Sequence, residues 1–212
     1  MVDANIIKDF FEVLNKNNLK YVLIKNDDNV IPNQLESGED IDFLIHSSDY
    51  DRLIDVVISN GYEKRMGESC KRYFLYQLRE DIFLRKGDCY FHFYEALSCN
   101  PLTDMGKCKM PLENMVQEYI WNHRIWDSVN RWWIMDDISI LLYLIVRSIF
   151  DKMCFRSKYI REIEKRIAYI DEEDFFLLAR TVFYGFTSRM IQMVKNKNYE
   201  RVLNEYLSYT NY

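Results

Sequence analysis

The chain has 212 residues, 49% hydrophobic and 16% aromatic, which is enough apolar side chain for a packed core and excludes a disordered chain. That length suits one large domain or two small ones. A formal charge of −5 argues against a general nucleic-acid binder, because neutralising phosphates takes clustered Lys and Arg.

Cys70, Cys89, Cys99, Cys108 and Cys154 contain no C-x-x-C pair, so neither a disulfide framework nor a zinc knuckle is indicated; reduced thiols in a cytoplasmic protein are expected. The start, MVDANIIKDFF, carries acids and has no basic segment leading into an apolar run, so it is not expected to be a signal peptide. The most apolar stretch, Ile138 to Val146, is far shorter than the roughly 20 residues of a membrane span.

Ile6, Ile7, Phe10, Phe11 and Leu14 recur at helical spacing and predict an amphipathic helix over 3–17. Tyr21 to Ile24 is a short β-branched run, expected as a buried strand. A polar loop over 26–39 contains Pro32 and Gly38. A second strand, Ile41 to Ile45, is entered through Asp40. Ser47, Ser48 and Asp49 offer N-cap oxygens to a helix over about 49–60, closed by Asn60-Gly61. Tyr73 to Leu78, Ile82 to Arg85 and Tyr90 to Glu95 read as strands, with Lys86-Gly87-Asp88 as a hairpin turn. Mixed order of this kind predicts an α+β domain with one mainly antiparallel sheet. After about residue 112 no strand signal recurs. Helices are expected over 113–124, 136–152, 157–168, 172–183, 186–195 and 198–209, the second buried nearly all round. The boundary is expected near Asn100-Pro101, dividing the chain into 1–100 and an all-helical 101–212.

The most informative stretch is YVLIKNDDNVIPNQLESGEDIDFLI, from Tyr21 to Ile45. Asp40 and Asp42 are two apart on a strand, so their carboxylates share a face. Two such carboxylates can grip a hard cation such as Mg²⁺, which takes one or two protein carboxylates plus substrate phosphates. The plainer alternative is a pair of solvated acids at a strand end, since D-x-D alone is a weak motif.

These residues resemble the nucleotidyltransferase-like proteins found with bacterial capsule and lipopolysaccharide genes. The matching positions are Lys25-Asn26, Pro32, Ser37-Gly38 and Asp40-Ile41-Asp42-Phe43-Leu44-Ile45. Farther on, Asp137 to Lys152, DISILLYLIVRSIFDK, and Ser157-Lys158-Tyr159 with Ile163 also fit, so the resemblance covers most of residues 5–165. It implies a mixed sheet with flanking helices and a helical C-terminal domain. It implies Mg²⁺ on Asp40 and Asp42 as catalytic metal ligands, with Lys25, Asn26, Ser37 and Gly38 near a nucleoside triphosphate and a small hydroxylated acceptor such as a sugar. In a two-domain arrangement Arg147 and Lys152 would bind phosphate; the alternative is charges paired within their own helix.

Two departures from that pattern point to a catalytically degenerate member, one that binds a nucleotide or a protein partner. Asn26-Asp27-Asp28 stands where the wider superfamily has a Gly-Ser turn, and Asp brings charge that repels phosphate. Lys25 could compensate as a point charge, or is an ordinary strand-end lysine. A third carboxylate is usual two residues before the histidine on a later strand, where this chain has Tyr90 before His92. Asp88 and Glu95 could replace it only if the strand shifts. His92 itself reads as a half-buried structural histidine or a catalytic one, and His46 as a helix-entry residue or a ligand contact. Trp121, Trp126, Trp132 and Trp133 read as packing between domains or as a stacking surface.

Overall fold

The computed structural model describes residues 1–26, 29–65, 73–101 and 107–209. Asp27, Asp28 and Cys70 lie outside them. The chain forms two compact units, Met1–Leu97 with Arg124–Met135, and Ser98–His123 with Asp136–Tyr212.

The first unit is built on a seven-stranded sheet. Its strands are β1 (Tyr21–Leu23), β2 (Asp40–Ile45), β3 (Glu63–Arg65), β5 (Ile82–Lys86), β6 (Cys89–Tyr94), β9 (Ile125–Asp127) and β10 (Trp132–Ile134). They lie in the order β3-β5-β6-β2-β1-β10-β9. The β2–β6 and β1–β10 pairs are parallel and the other four antiparallel, giving the mixed, mainly antiparallel sheet expected. A short β4 covers Tyr73–Phe74. The longer strand expected there stops because Tyr76 and Gln77 adopt φ of 53° and 61°, the left-handed region.

Helices α1 (Ala4–Lys16) and α2 (Tyr50–Ser59) close one face of this sheet. Ile7, Phe10, Phe11 and Leu14 of α1 meet Phe43, Phe91 and Phe93 in a common core that also takes in Leu53 and Val57 of α2. Phe10 stacks on Phe91 at 3.8 Å between ring centroids, and Phe43 on Phe93 at 4.6 Å. Strand alternation therefore sends Ile41, Phe43 and Ile45 into the core and turns Asp40 and Asp42 to the opposite face. The caps differ from expectation. His46, not a serine, caps the 3₁₀ turn at Ser47–Asp49 by accepting from the Ser48 amide, which settles its helix-entry role. The Asp49 carboxylate instead accepts from the Lys20 amide at 2.8 Å and pairs with Arg52.

Strands β9 and β10 correct the expectation that no strand follows residue 112. Trp132 is 1% exposed and sits 4.3 Å from Phe11, so this tryptophan packs inside the first unit's core. Trp126 and Trp133 face each other on the two strands of this hairpin.

The second unit carries a β7–β8 pair (Ser98–Cys99, Cys108–Pro111) and helices α3 (Asn114–His123), α4 (Asp137–Val146), α5 (Ser157–Ile167), α6 (Glu172–Phe183), α7 (Thr187–Lys195) and α8 (Tyr199–Ser208). Every residue of α4 from Ile138 to Val146 is buried. The helix expected to run on to residue 152 changes to a π turn at Arg147–Asp151, where the Ser148 hydroxyl donates back to the Leu144 carbonyl. Asp171 caps α6 by accepting from the amides of Glu173 and Asp174.

Phe10→Ala removes a fully buried ring from the first unit and is expected to cost about 3–5 kcal/mol in urea unfolding. Asp171→Ala leaves two helix-terminal amides without their acceptor and is expected to cost about 0.5–2 kcal/mol by the same measurement.

Candidate active site

The polar face of the first unit's sheet is built from the same alternation that fills its core. On β2 it presents Asp40 and Asp42; on β6, Tyr90, His92 and Tyr94; before and along β5, Asp81 and Phe83. The parallel register sets Asp40 beside Tyr90 and Asp42 beside His92. The ladder is unbroken from Asp40 to Leu44, so no bulge shifts another residue into the place of Tyr90.

Asp40 and Asp42 come together as expected. Partial burial of the Asp40 carboxylate, and then the charge of Asp42, raise its pKa above the ordinary value of 3.8; His92 and Arg65 act in the opposite sense. Arg65 of β3 also lies over the Tyr90 ring, 5.0 Å from its centroid. Two crowded carboxylates with only oxygen donors are a donor set that suits a hard divalent cation completed by phosphates and water. Among the described residues no group of three His, Cys, Asp or Glu converges to hold a metal unaided.

Neither substitute for a third carboxylate reaches the pair. Asp88 is exposed in the β5–β6 turn. Glu95 accepts from the Arg79 backbone and guanidinium, each at 2.9 Å.

Ser37 and Gly38 form the turn that delivers the chain to Asp40, closed by Glu39 N–H donating to the Glu36 carbonyl at 3.2 Å. Gly38 has φ +90° with open space where a Cβ would stand, so the backbone conformation and not crowding calls for glycine. Lys25 and Asn26 follow β1, whose end is tied to the site by Ile24 N–H donating to the Asp42 carbonyl at 3.0 Å. Asn26 has a structural task. Its side chain accepts from Ile31 N–H at 3.0 Å and donates to the Ile31 carbonyl at 3.2 Å, tying the end of β1 to the residue just ahead of Pro32.

Arg147 and Lys152 belong to the second unit. Arg147 donates to the Tyr159 hydroxyl at 3.2 Å and lies 3.7 Å from Asp151. Burial and the neighbouring Arg147 lower the pKa of Lys152. The basic run after Arg156 is paired in part, with Arg166 joined to Glu162 one turn back and to Asp137 at 2.8 Å.

Asp81 was not singled out by the sequence. It is a lone acid ahead of a strand, in no motif, and only the β5–β6 register reveals its place. Its carboxylate lies 3.1 Å from His92 Nε2. The other ring nitrogen of His92 is hydrogen-bonded to the Tyr94 hydroxyl at 2.9 Å, and that hydroxyl donates to Asp42 Oδ1 at 3.1 Å. His92 is thus buried, as the structural reading expects, yet its polar edges lead to the D-x-D.

No protein-family model matches the chain, and no curated protein matches it. Solved structures do match. ANT(2'')-Ia, described as an antibiotic-resistance factor with substrate-regulated conformation dynamics, aligns over 92% of this chain and 96% of its own with a TM-score of 0.51 and 10% identity. A crystal structure of ANT(2'')-Ia in complex with adenylyl-2''-tobramycin aligns over 88% of this chain and 97% of its own, at TM-score 0.49 and 11% identity. ANT(2'')-Ia is an aminoglycoside nucleotidyltransferase, and at this identity the likeness is one of fold: the chain has a nucleotidyltransferase-like α+β fold with a helical C-terminal region.

Proposed function

We propose that this protein transfers a nucleotidyl or phosphoryl group from a nucleoside triphosphate to a small hydroxylated acceptor, with Mg²⁺ held by Asp40 and Asp42. The observation that carries the reading is the acidic pair. Two carboxylates share the side of a strand that faces away from the aromatic core, at the mouth of a glycine turn, in a nucleotidyltransferase-like fold. A bound Mg²⁺ would neutralise phosphate charge and orient the triphosphate. Ser37 and Gly38 offer backbone near those phosphates, and Lys25 a cation. Arg147 and Lys152, in the second unit, are further candidates for binding phosphate. A sugar or polyol acceptor, in surface-polysaccharide assembly, is the finer form of this reading, and the net acidic charge favours such an acceptor over RNA.

One observation favours a second reading, a nucleotide-binding protein that has lost catalysis. Tyr90 stands beside Asp40, and a phenol does not serve as a Mg²⁺ ligand or base at neutral pH as a carboxylate does.

Thermal shifts with ATP, GTP, CTP and UTP, with and without Mg²⁺, test the shared part of both readings. A Mg²⁺-dependent rise with at least one nucleotide is expected, worth about 2.7 kcal/mol where ligand exceeds its Kd roughly 100-fold. It is expected to vanish in Asp40→Asn/Asp42→Asn, and a shift that survives in the variant removes the pair from the site. Acceptor-dependent release of pyrophosphate (nucleotidyl transfer) or of nucleoside diphosphate (phosphoryl transfer) on adding sugars and polyols then separates enzyme from binder.

The crowding of the pair has a pH signature in metal-free buffer. A carboxylate whose folded pKa is raised costs stability at every pH where it is ionised, and that cost is gone below its ordinary value of 3.8. Asp40→Asn is therefore expected to raise Tm at pH 7, with the gain shrinking to nothing as the pH falls below 3.8.

A further inference from the structure

Two ionisable side chains on the polar face are buried where an apolar pair would serve packing as well. Asp81 and His92 are each 8% exposed. The imidazole is clamped between rings, stacked on Phe83 at 4.0 Å and against Tyr94 at 4.1 Å, so it has little freedom to turn. Its two nitrogens point to different acids, Nε2 to Asp81 at 3.1 Å and Nδ1 towards Asp42 at 3.5 Å, with the Tyr94 hydroxyl between. Neither His92 Nε2 nor the Asp81 oxygen facing it completes a well-directed hydrogen bond, so burying them brings no full hydrogen-bond gain to offset lost hydration. Stability alone is a poor reason for such a pair.

The connection to Asp42 supplies a reason. The Tyr94 hydroxyl has one hydrogen, and within its reach lie the acceptors Asp42 Oδ1 at 3.1 Å and His92 Nδ1 at 2.9 Å. An imidazole with hydrogen on both nitrogens, Nε2 toward the Asp81 carboxylate and Nδ1 toward the phenol oxygen, leaves that single hydrogen for Asp42. Partners one step behind a metal-binding carboxylate fix its rotation, and their loss typically costs metal affinity about 10–100-fold.

We propose that His92, braced by Asp81, is a positioning residue that acts through the Tyr94 hydroxyl to hold Asp42 in the orientation that binds a divalent cation. The inference rests on the reading of Asp40 and Asp42 as cation ligands. It assigns a place in the site to Asp81, and it gives the His92–Tyr94 pair a task separate from that of the carboxylate replaced by Tyr90.

The test is Mn²⁺ affinity of the full chain, followed by electron paramagnetic resonance, alongside Tm for each variant. Asn at position 92 sets an amide nitrogen close to where Nδ1 stands, whereas Gln reaches toward Asp81 and abandons the Asp42 side. His92→Asn is expected to keep most of the wild-type affinity, and His92→Gln to lose about tenfold or more. Tyr94→Phe keeps the ring packing and deletes only the hydroxyl, so it is expected to lose a similar factor while folding normally. A merely structural histidine makes affinity follow Tm across the series, with no Asn–Gln split. That result, or wild-type affinity in Tyr94→Phe, overturns the positioning role and leaves Asp40 and Asp42 as ligands. A wild-type chain that binds Mn²⁺ no better than Asp40→Asn/Asp42→Asn overturns the ligand reading itself, and the positioning role with it.

Discussion

The constraint on which the first unit depends is the two-residue alternation of β2 between β1 and β6. Ile41, Phe43 and Ile45 must reach the aromatic core under α1 and α2, and the same backbone then has no choice but to carry Asp40 and Asp42 on the other side. A slip of one residue would bury both carboxylates among phenylalanines and expose Phe43. Core and site are therefore one specification. The stacked rings that fill the interior also fix the register that sets Asp42 beside His92.

The polar face is electrostatically economical. Two acids sit together at the start of β2, and the neighbouring strands answer them with a histidine, two tyrosines and Arg65, with Asp81 on the far side of the histidine. On the proposed reading, cation and phosphate chemistry calls for such a balance, with enough negative charge to hold a metal and enough hydrogen-bond donors nearby to keep that charge tolerable in its absence. The turn through Ser37 and Gly38 and the loop braced by Asn26 bring backbone to the same edge without adding an aromatic wall.

Much of this was readable from residue order. The helical spacing of Ile7, Phe10, Phe11 and Leu14, the D-I-D strand and the Lys86-Gly87-Asp88 turn each carry a local signal, and the structure places helix, strand and turn there. What escaped was non-local. Strands β9 and β10 hold three residues apiece, too few for alternation to show, and exist as strands because β1 offers an edge to Ile134 and Trp132 fits against Phe11. Asp81 gains meaning only when β5 pairs with β6 and brings it to His92. The Asn26 side chain is a comparable case: its place in a motif does not reveal that it also holds its own loop by hydrogen bonding to Ile31.

The return of Arg124–Met135 to the first unit has a consequence for how the chain is made. Strand β10 pairs with β1 across more than a hundred residues of sequence and brings Trp132 into the core. On a ribosome releasing the chain from its N-terminus, β1 has β2 on one side and nothing on the other until residue 134 has emerged. The sheet is thus finished late, and a fragment cut at the apparent boundary near residue 100 would keep every acid of the site while leaving β1 as an open edge, prone to pair with another chain. Covalent continuity makes Ser98–His123 an excursion anchored at both ends, so completion of the first unit and growth of the second are steps of a single folding history.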